Sequence, residues 1–154
     1  METVEEVEPV INLALKYLNP EHENPKLRYA ALHCIGQIAD EMQPKFQRKY
    51  HTTLLPIIVK LSDDKVPRVS AHAFAAMTNF VEAMDKDEIQ PYSRELLQKS
   101  LLKSQKGISI EKENAVSTIA AISEAMADNF KMYFTEVFGY LLQLLTSHIT
   151  PEYK

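Results

Sequence analysis

The side chains of this chain that could move a proton, attack a carbonyl or hold a metal are few and poorly spaced for any of it. Five histidines and one cysteine are present. His33 and Cys34 are adjacent, so on a helix their side chains diverge and make a poor chelate. His72 follows Arg68 by one helical turn, a spacing that predicts packing or a backbone contact. His22, His51 and His148 have no residue at ligand spacing. Cys34 reads as a small buried filler. Glu111-Lys112-Glu113 reads as a solvated first turn. There is no glycine-rich phosphate loop and no nucleophile motif. The sequence therefore predicts no enzyme, no cofactor and no metal.

What remains is a surface, and the elements that present it repeat. Pro25 is echoed by Pro67, Ala31 by Ala73 and Ala115, Ile35 by Met77 and Ile119, and Met42 by Met84 and Met126, each 42 residues on. Phe46, Tyr50, Leu54, Ile57, Ile58 and Leu61 recur as Phe130, Phe134, Phe138, Leu141, Leu142 and Leu145 at a constant offset of 84. A fixed period of this size marks an array of helical repeats.

Each repeat reads as two helices. In the first, Pro25 opens a helix after Asn24 as cap, with Leu27, Ala31, Leu32, Ile35, Ile38, Ala39 and Met42 along one stripe. Gln43-Pro44 ends it. Phe46 to Leu61 forms the second helix, where Pro56 predicts a kink or a late start. Ser62 to Lys65 turns into the second repeat, with Ala71, Phe74, Met77, Phe80, Val81 and Met84 inside. A turn over residues 85–91 leads to a helix using Tyr92, Leu96, Leu97, Leu101 and Leu102. Gly107 is expected to end it as a left-handed cap. Ser109 to Ala127 opens the third repeat, Asp128-Asn129 turns the chain, and the last helix carries the recurring Phe and Leu stripe. Alanines gather on first helices, where small side chains allow close approach. Residues 3–18 read as a second helix without its first, with Thr3 as a possible cap and a regular start near Glu8. The methionines at 42, 77, 84 and 126 fall at core positions.

The expected division is 1–20 as a partial repeat, 21–62, 63–107 and 108–149 as full repeats, and 150–154 as the opening of another. Neither end has the polar face of a capping repeat, so the expectation is a piece of a longer solenoid. If second helices line the inner wall, their non-core positions face partners. These are Arg48, Thr52 and Val59; Gln90, Arg94 and Gln98; and Glu136, Tyr140 and Gln143. Polar and aromatic residues stacked down such a groove suit an extended peptide.

The bulk numbers fit. The chain has 154 residues, 45% hydrophobic and 25% charged, with 3 glycines and a net charge of −4. Scarce glycine with abundant Ala, Leu, Lys and Glu favours helix. The mild acidity argues against nucleic acid and suits basic partners. One cysteine excludes an intrachain disulfide. No signal peptide or apolar run of spanning length is present, so the expectation is a soluble, intracellular protein without membrane insertion.

Pro25-Lys26-Leu27-Arg28-Tyr29-Ala30-Ala31, with Leu54-Leu55-Pro56 in the following helix, resembles the HEAT repeat. The runs Arg28 to Ala31, Gly36-Gln37, Phe46 to His51 and Arg68 to Ala73 are similar to the central region of importin-β family nuclear transport receptors, most closely the beta-three type (karyopherin beta-three). Asn79-Phe80 and Gln105-Lys106-Gly107 fall where that branch has similar residues. The resemblance implies an all-α, right-handed α-α superhelix of about three full repeats plus a partial N-terminal one. It implies import of protein cargo with basic nuclear localisation signals. It also implies Ran-GTP and cargo on the concave side, phenylalanine-glycine nucleoporins on the convex side, and shuttling between cytoplasm and nucleus. Ser70 and Lys112 depart from the pattern by standing where the first repeat has Arg28. The competing expectation is a HEAT scaffold of another class, such as a phosphatase regulatory subunit.

Overall fold

The computed structural model describes residues 3–148; the expected opening of a further repeat at 150–154 lies outside them. Seven α-helices follow in order: α1 Glu8–Tyr17, α2 Pro25–Glu41, α3 Lys45–Leu61, α4 Pro67–Val81, α5 Lys86–Lys106, α6 Ser109–Met126 and α7 Lys131–His148, with a 3-10 turn at Ala127–Phe130 before α7. The described residues contain no strand. The architecture is an all-α solenoid.

Local chemistry sets the helix starts. Pro25 and Pro67 occupy first-turn positions, where a missing N–H costs nothing. Asn24 Oδ1 accepts the Lys26 N–H at 2.9 Å. Before α4, Asp64 Oδ1 accepts the Val66 N–H at 2.8 Å. Thr3 does not cap α1; Val7 occupies the cap position and the helix begins at Glu8.

Two expected boundaries change. Of the expected turn over 85–91, residues 86–91 are already helix, because Glu88 reaches back to accept the N–H of the capping Asp85 at 3.1 Å and the first turn is acidic. Pro91 is carried inside α5. Likewise α3 starts at Lys45 and runs through Pro56 without a late start. Pro56 and Thr52, the residue whose carbonyl loses its partner, are both exposed, so water can replace the missing bond.

First helices α2, α4 and α6 pack side by side, and second helices α1, α3 and α5 each lie against the following first helix. Leu32, Ile35, Phe74, Met77, Phe80, Ile119 and Ile122 fill the first-helix layer; Phe46, Leu54, Ile58 and Leu61 fill α3's side of the seam. Phe46 and Phe80 meet at 5.5 Å between ring centroids. Burying each such side chain contributes about 1.5–3 kcal/mol. Gly36 of α2 faces Ala76 of α4, where a Cβ would sit in ordinary contact at 3.4 Å from Ala76 Cα.

Some positions read as core are not. Leu27 is exposed, as are Val10, Leu13, Leu102 and Val116. On α7, Phe134 is 53% and Phe138 49% exposed, with Leu142 and Leu145 also outside. Their counterparts on α3 are covered by α4, and among the described residues no later helix covers α7. Met42 and Cys34 are half-buried rather than fully buried.

Each joint between repeats carries its own polar tie. At the first, Arg28 Nε and Nη2 donate to Asp64 at 2.8 and 3.0 Å, and Nη1 donates to the His22 carbonyl. Ser70, at the equivalent of Arg28, instead donates to the Ser62 carbonyl at 2.7 Å. At the next joint, Glu111 is buried, not solvated as its sequence context suggested. It accepts Lys103 Nζ at 3.0 Å and the Ile108 N–H at 3.0 Å. Gly107 before it is not left-handed: φ is −71° and ψ 167°. Its missing side chain makes room, because a Cβ would lie 2.7 Å from the Lys103 carbonyl oxygen and 2.9 Å from Glu111 Cβ.

Candidate protein-binding face

Second helices α3, α5 and α7 carry the residues singled out as a face. Arg48 is exposed near the start of α3 and reaches Asp85 at 3.3 Å. Thr52 is exposed one turn further on. Val59 does not belong, since it is buried in the seam at 5% exposure. Gln90, exposed on α5, accepts Asn129 Nδ2 at 3.4 Å.

Arg94, Gln98 and Glu136 come together. With Leu97, Leu101, Met132, Tyr133 and Val137 they line a cleft of about 290 Å³ between α5 and α7. Tyr140 stands half-buried further along α7, its hydroxyl 3.2 Å from Ser104 Oγ. Gln143 is exposed and does not line the cleft. The cleft thus offers a carboxylate, a guanidinium, an amide and a phenol ring above apolar walls. Such a lining can grip an extended chain by its side-chain stems and polar ends.

Sequence reasoning missed the apolar half of this lining. Leu97 and Leu101 stood out only as core positions, although their spacing from Arg94 and Gln98 places all four on one helical strip. Met132 and Tyr133 had no sequence signal, because which side of α7 faces α5 is a matter of tertiary packing.

The chemistry-bearing residues elsewhere are structural. His72 stacks on Tyr29 at 5.2 Å, His33 meets it edge-on at 5.7 Å, and Arg68 lies over the Tyr29 ring at 4.4 Å. Burial, then the neighbouring His33 and Arg68, holds the His72 imidazole below its ordinary value, which disfavours its charged form. Burial pushes the Cys34 thiol up, away from reactivity. Among the described residues, no group of three or more His, Cys, Asp or Glu is placed to hold a metal. No helix among them is long and apolar enough to cross a membrane.

Comparison with known proteins bears on the fold and the family. Residues 1–106 match the family model described as "Stalled ribosome sensor GCN1-like, HEAT repeats". Importin subunit beta-3 of Saccharomyces cerevisiae is 33% identical over 141 residues, covering 91% of this chain and 13% of that protein. The karyopherin Kap121p bound to the SUMO protease Ulp1p superposes with a TM-score of 0.85 at 30% identity, covering 92% of this chain and 14% of the other. Kap121p bound to RanGTP superposes with a TM-score of 0.77 over the same shares at 30% identity. The chain therefore spans only a small part of the length of these relatives. A matched HEAT model over most of the chain, a shared solenoid and this level of identity place the chain in the HEAT-repeat family, within its importin-β group.

Proposed function

We propose that this chain forms part of the cargo-binding wall of a nuclear import receptor, engaging protein segments with basic localisation signals along α3, α5 and α7. The cleft that gathers Arg94, Gln98 and Glu136 carries this reading. It is the place where polar residues of two successive second helices converge above apolar walls. Glu136 would pair with a basic side chain, and Leu97, Leu101 and Met132 would hold its aliphatic stem. A relative solved with Ulp1p and with RanGTP supports both cargo recognition and its regulation by Ran-GTP. Shuttling between cytoplasm and nucleus follows from that role.

The test measures binding of a fluorescent lysine-rich localisation peptide to the full-length receptor. Gln98→Ala combined with Tyr140→Ala, and separately Glu136→Lys, should weaken it, Glu136→Lys by roughly tenfold or more through like-charge repulsion. Ran-GTP should displace the peptide. Unchanged affinity in both variants would move the site elsewhere. Failure of Ran-GTP to bind or displace cargo would favour a HEAT scaffold of another class.

A further inference from the structure

The two walls of the solenoid are joined by different means. First helices meet at close range: Gly36 lies against Ala76, with Phe74, Met77 and Ile119 around them. Short polar bonds reinforce that contact, from Asn79 Nδ2 to the Gly36 carbonyl at 3.0 Å, between Thr78 and Thr118 Oγ1 at 3.0 Å, and from Thr118 Oγ1 to the Phe74 carbonyl at 3.1 Å. Second helices stand further apart, α5 and α7 touching only sparsely. Directed polar bonds span that wider gap, and three of them end on tyrosine hydroxyls. His51 Nδ1 and Tyr92 OH lie 3.2 Å apart between α3 and α5. Ser93 Oγ and Tyr133 OH lie 3.5 Å apart between α5 and α7. Ser104 Oγ and Tyr140 OH lie 3.2 Å apart in the same gap.

The first two are one rung repeated. His51 and Ser93 are 42 residues apart, a full period, and Tyr92 and Tyr133 are 41 apart. Tyr92 reads only as core in the sequence, yet here it is half-buried with its hydroxyl turned to the neighbouring repeat.

We infer that Tyr92, Tyr133 and Tyr140 are positioning residues whose hydroxyls latch successive second helices and so set the width of the groove, while the first-helix wall acts as the pivot. The first helices are held close by packing and short bonds, so they form the axis of any small rotation between repeats, and the second-helix wall moves furthest. A hydrogen bond weakens steeply with length and angle, so a small rotation about the first helices breaks the rungs first. The relative's matching stretch is not a single shape. At equal coverage this chain superposes on its Ulp1p-bound structure at 0.85 and on its RanGTP-bound structure at 0.77. The consequence for cargo rests on the second-helix wall being the binding face; the latch itself does not.

The latch is tested by pulsed electron–electron distance measurement on this chain in a Cys34→Ser background. One label pair sits on the groove wall (Thr52→Cys with Gln143→Cys) and one on the outer wall (Ala30→Cys with Ser117→Cys); all four positions are exposed. Tyr→Phe at 92, 133 and 140 removes the hydroxyls and keeps the rings. Each should raise the population of longer groove-wall distances roughly fivefold, the equivalent of one net hydrogen bond. The outer-wall distribution should not change. Ser93→Ala removes the Tyr133 rung from its other end and should reproduce Tyr133→Phe. An unchanged groove-wall distribution, or equal broadening on both walls, would overturn the inference. Neither readout involves cargo, so this result is separable from that of the peptide-binding test.

Discussion

Arg28 Nε donates to Asp64 Oδ2 at 2.8 Å across 36 residues of sequence, with the two side chains only 4% and 2% exposed. Asp64 also accepts the Val66 N–H that precedes α4. One carboxylate therefore neutralises a buried guanidinium and helps start the next helix. Removing it leaves a buried charge unpaired. Asp64→Ala should destabilise the chain by about 3 kcal/mol or more, read as a lower urea midpoint. Asp64→Asn keeps an acceptor for Val66 and should cost less.

Glu111 ties the next joint under a different balance. Burial pushes its carboxyl up, but the Ile108 N–H, Lys103 and Ser70 together pull it below its ordinary value of 4.5. A folded value below the unfolded one means that the stabilisation is complete above the ordinary carboxylate range. It is lost as pH falls through the folded value. Thermal melts of wild type and Glu111→Gln between pH 7 and pH 3 should show wild type more stable at neutral pH. The difference should shrink on acidification.

The glycines at 36 and 107 should respond oppositely. At Gly36 a methyl would meet Ala76 and Asn79 at 3.4 to 3.6 Å, within ordinary contact. Gly36→Ala should be neutral or stabilising by up to about 1 kcal/mol through helix propensity. At Gly107 the methyl would press on the Lys103 carbonyl, so Gly107→Ala should cost about 1–3 kcal/mol. Asn at 107 should be no better than Ala, whereas a left-handed cap would tolerate it. Chemical denaturation of the three variants decides the matter.

Phe46 and Phe130, Tyr50 and Phe134, and Leu54 and Phe138 share repeat positions at one offset. Their neighbours differ. Phe46→Ala, emptying a site with no exposure, should cost about 3–5 kcal/mol. Phe134→Ser on the exposed face of α7 should stay within about 0.5 kcal/mol. Equal losses in the two unfolding curves would contradict the burial seen here.

Helix identity and the period were legible because both rest on local spacing. Pro25 and Pro67 at first turns, the Ile35–Met77–Ile119 stripe and the Phe and Leu stripe of second helices repeat in plain sight. The HEAT resemblance added the family. Less was legible of the candidate face. Arg94, Gln98 and Glu136 were singled out as outward positions, and they share a cleft. Val59 is expected outside and is buried, because neighbouring helices cover that side of α3 as part of the shared core.

The sequence alone established the all-α repeat, its register and the absence of a recognisable catalytic motif. These follow from periodicity and residue type. Only the tertiary structure decided which stripe is covered, why Gly107 is glycine, that Glu111 is buried against Lys103, and that tyrosine hydroxyls bridge the second helices. Each depends on what the neighbouring repeat places within a few ångströms. In a solenoid that neighbour lies about forty residues away, beyond the reach of local pattern.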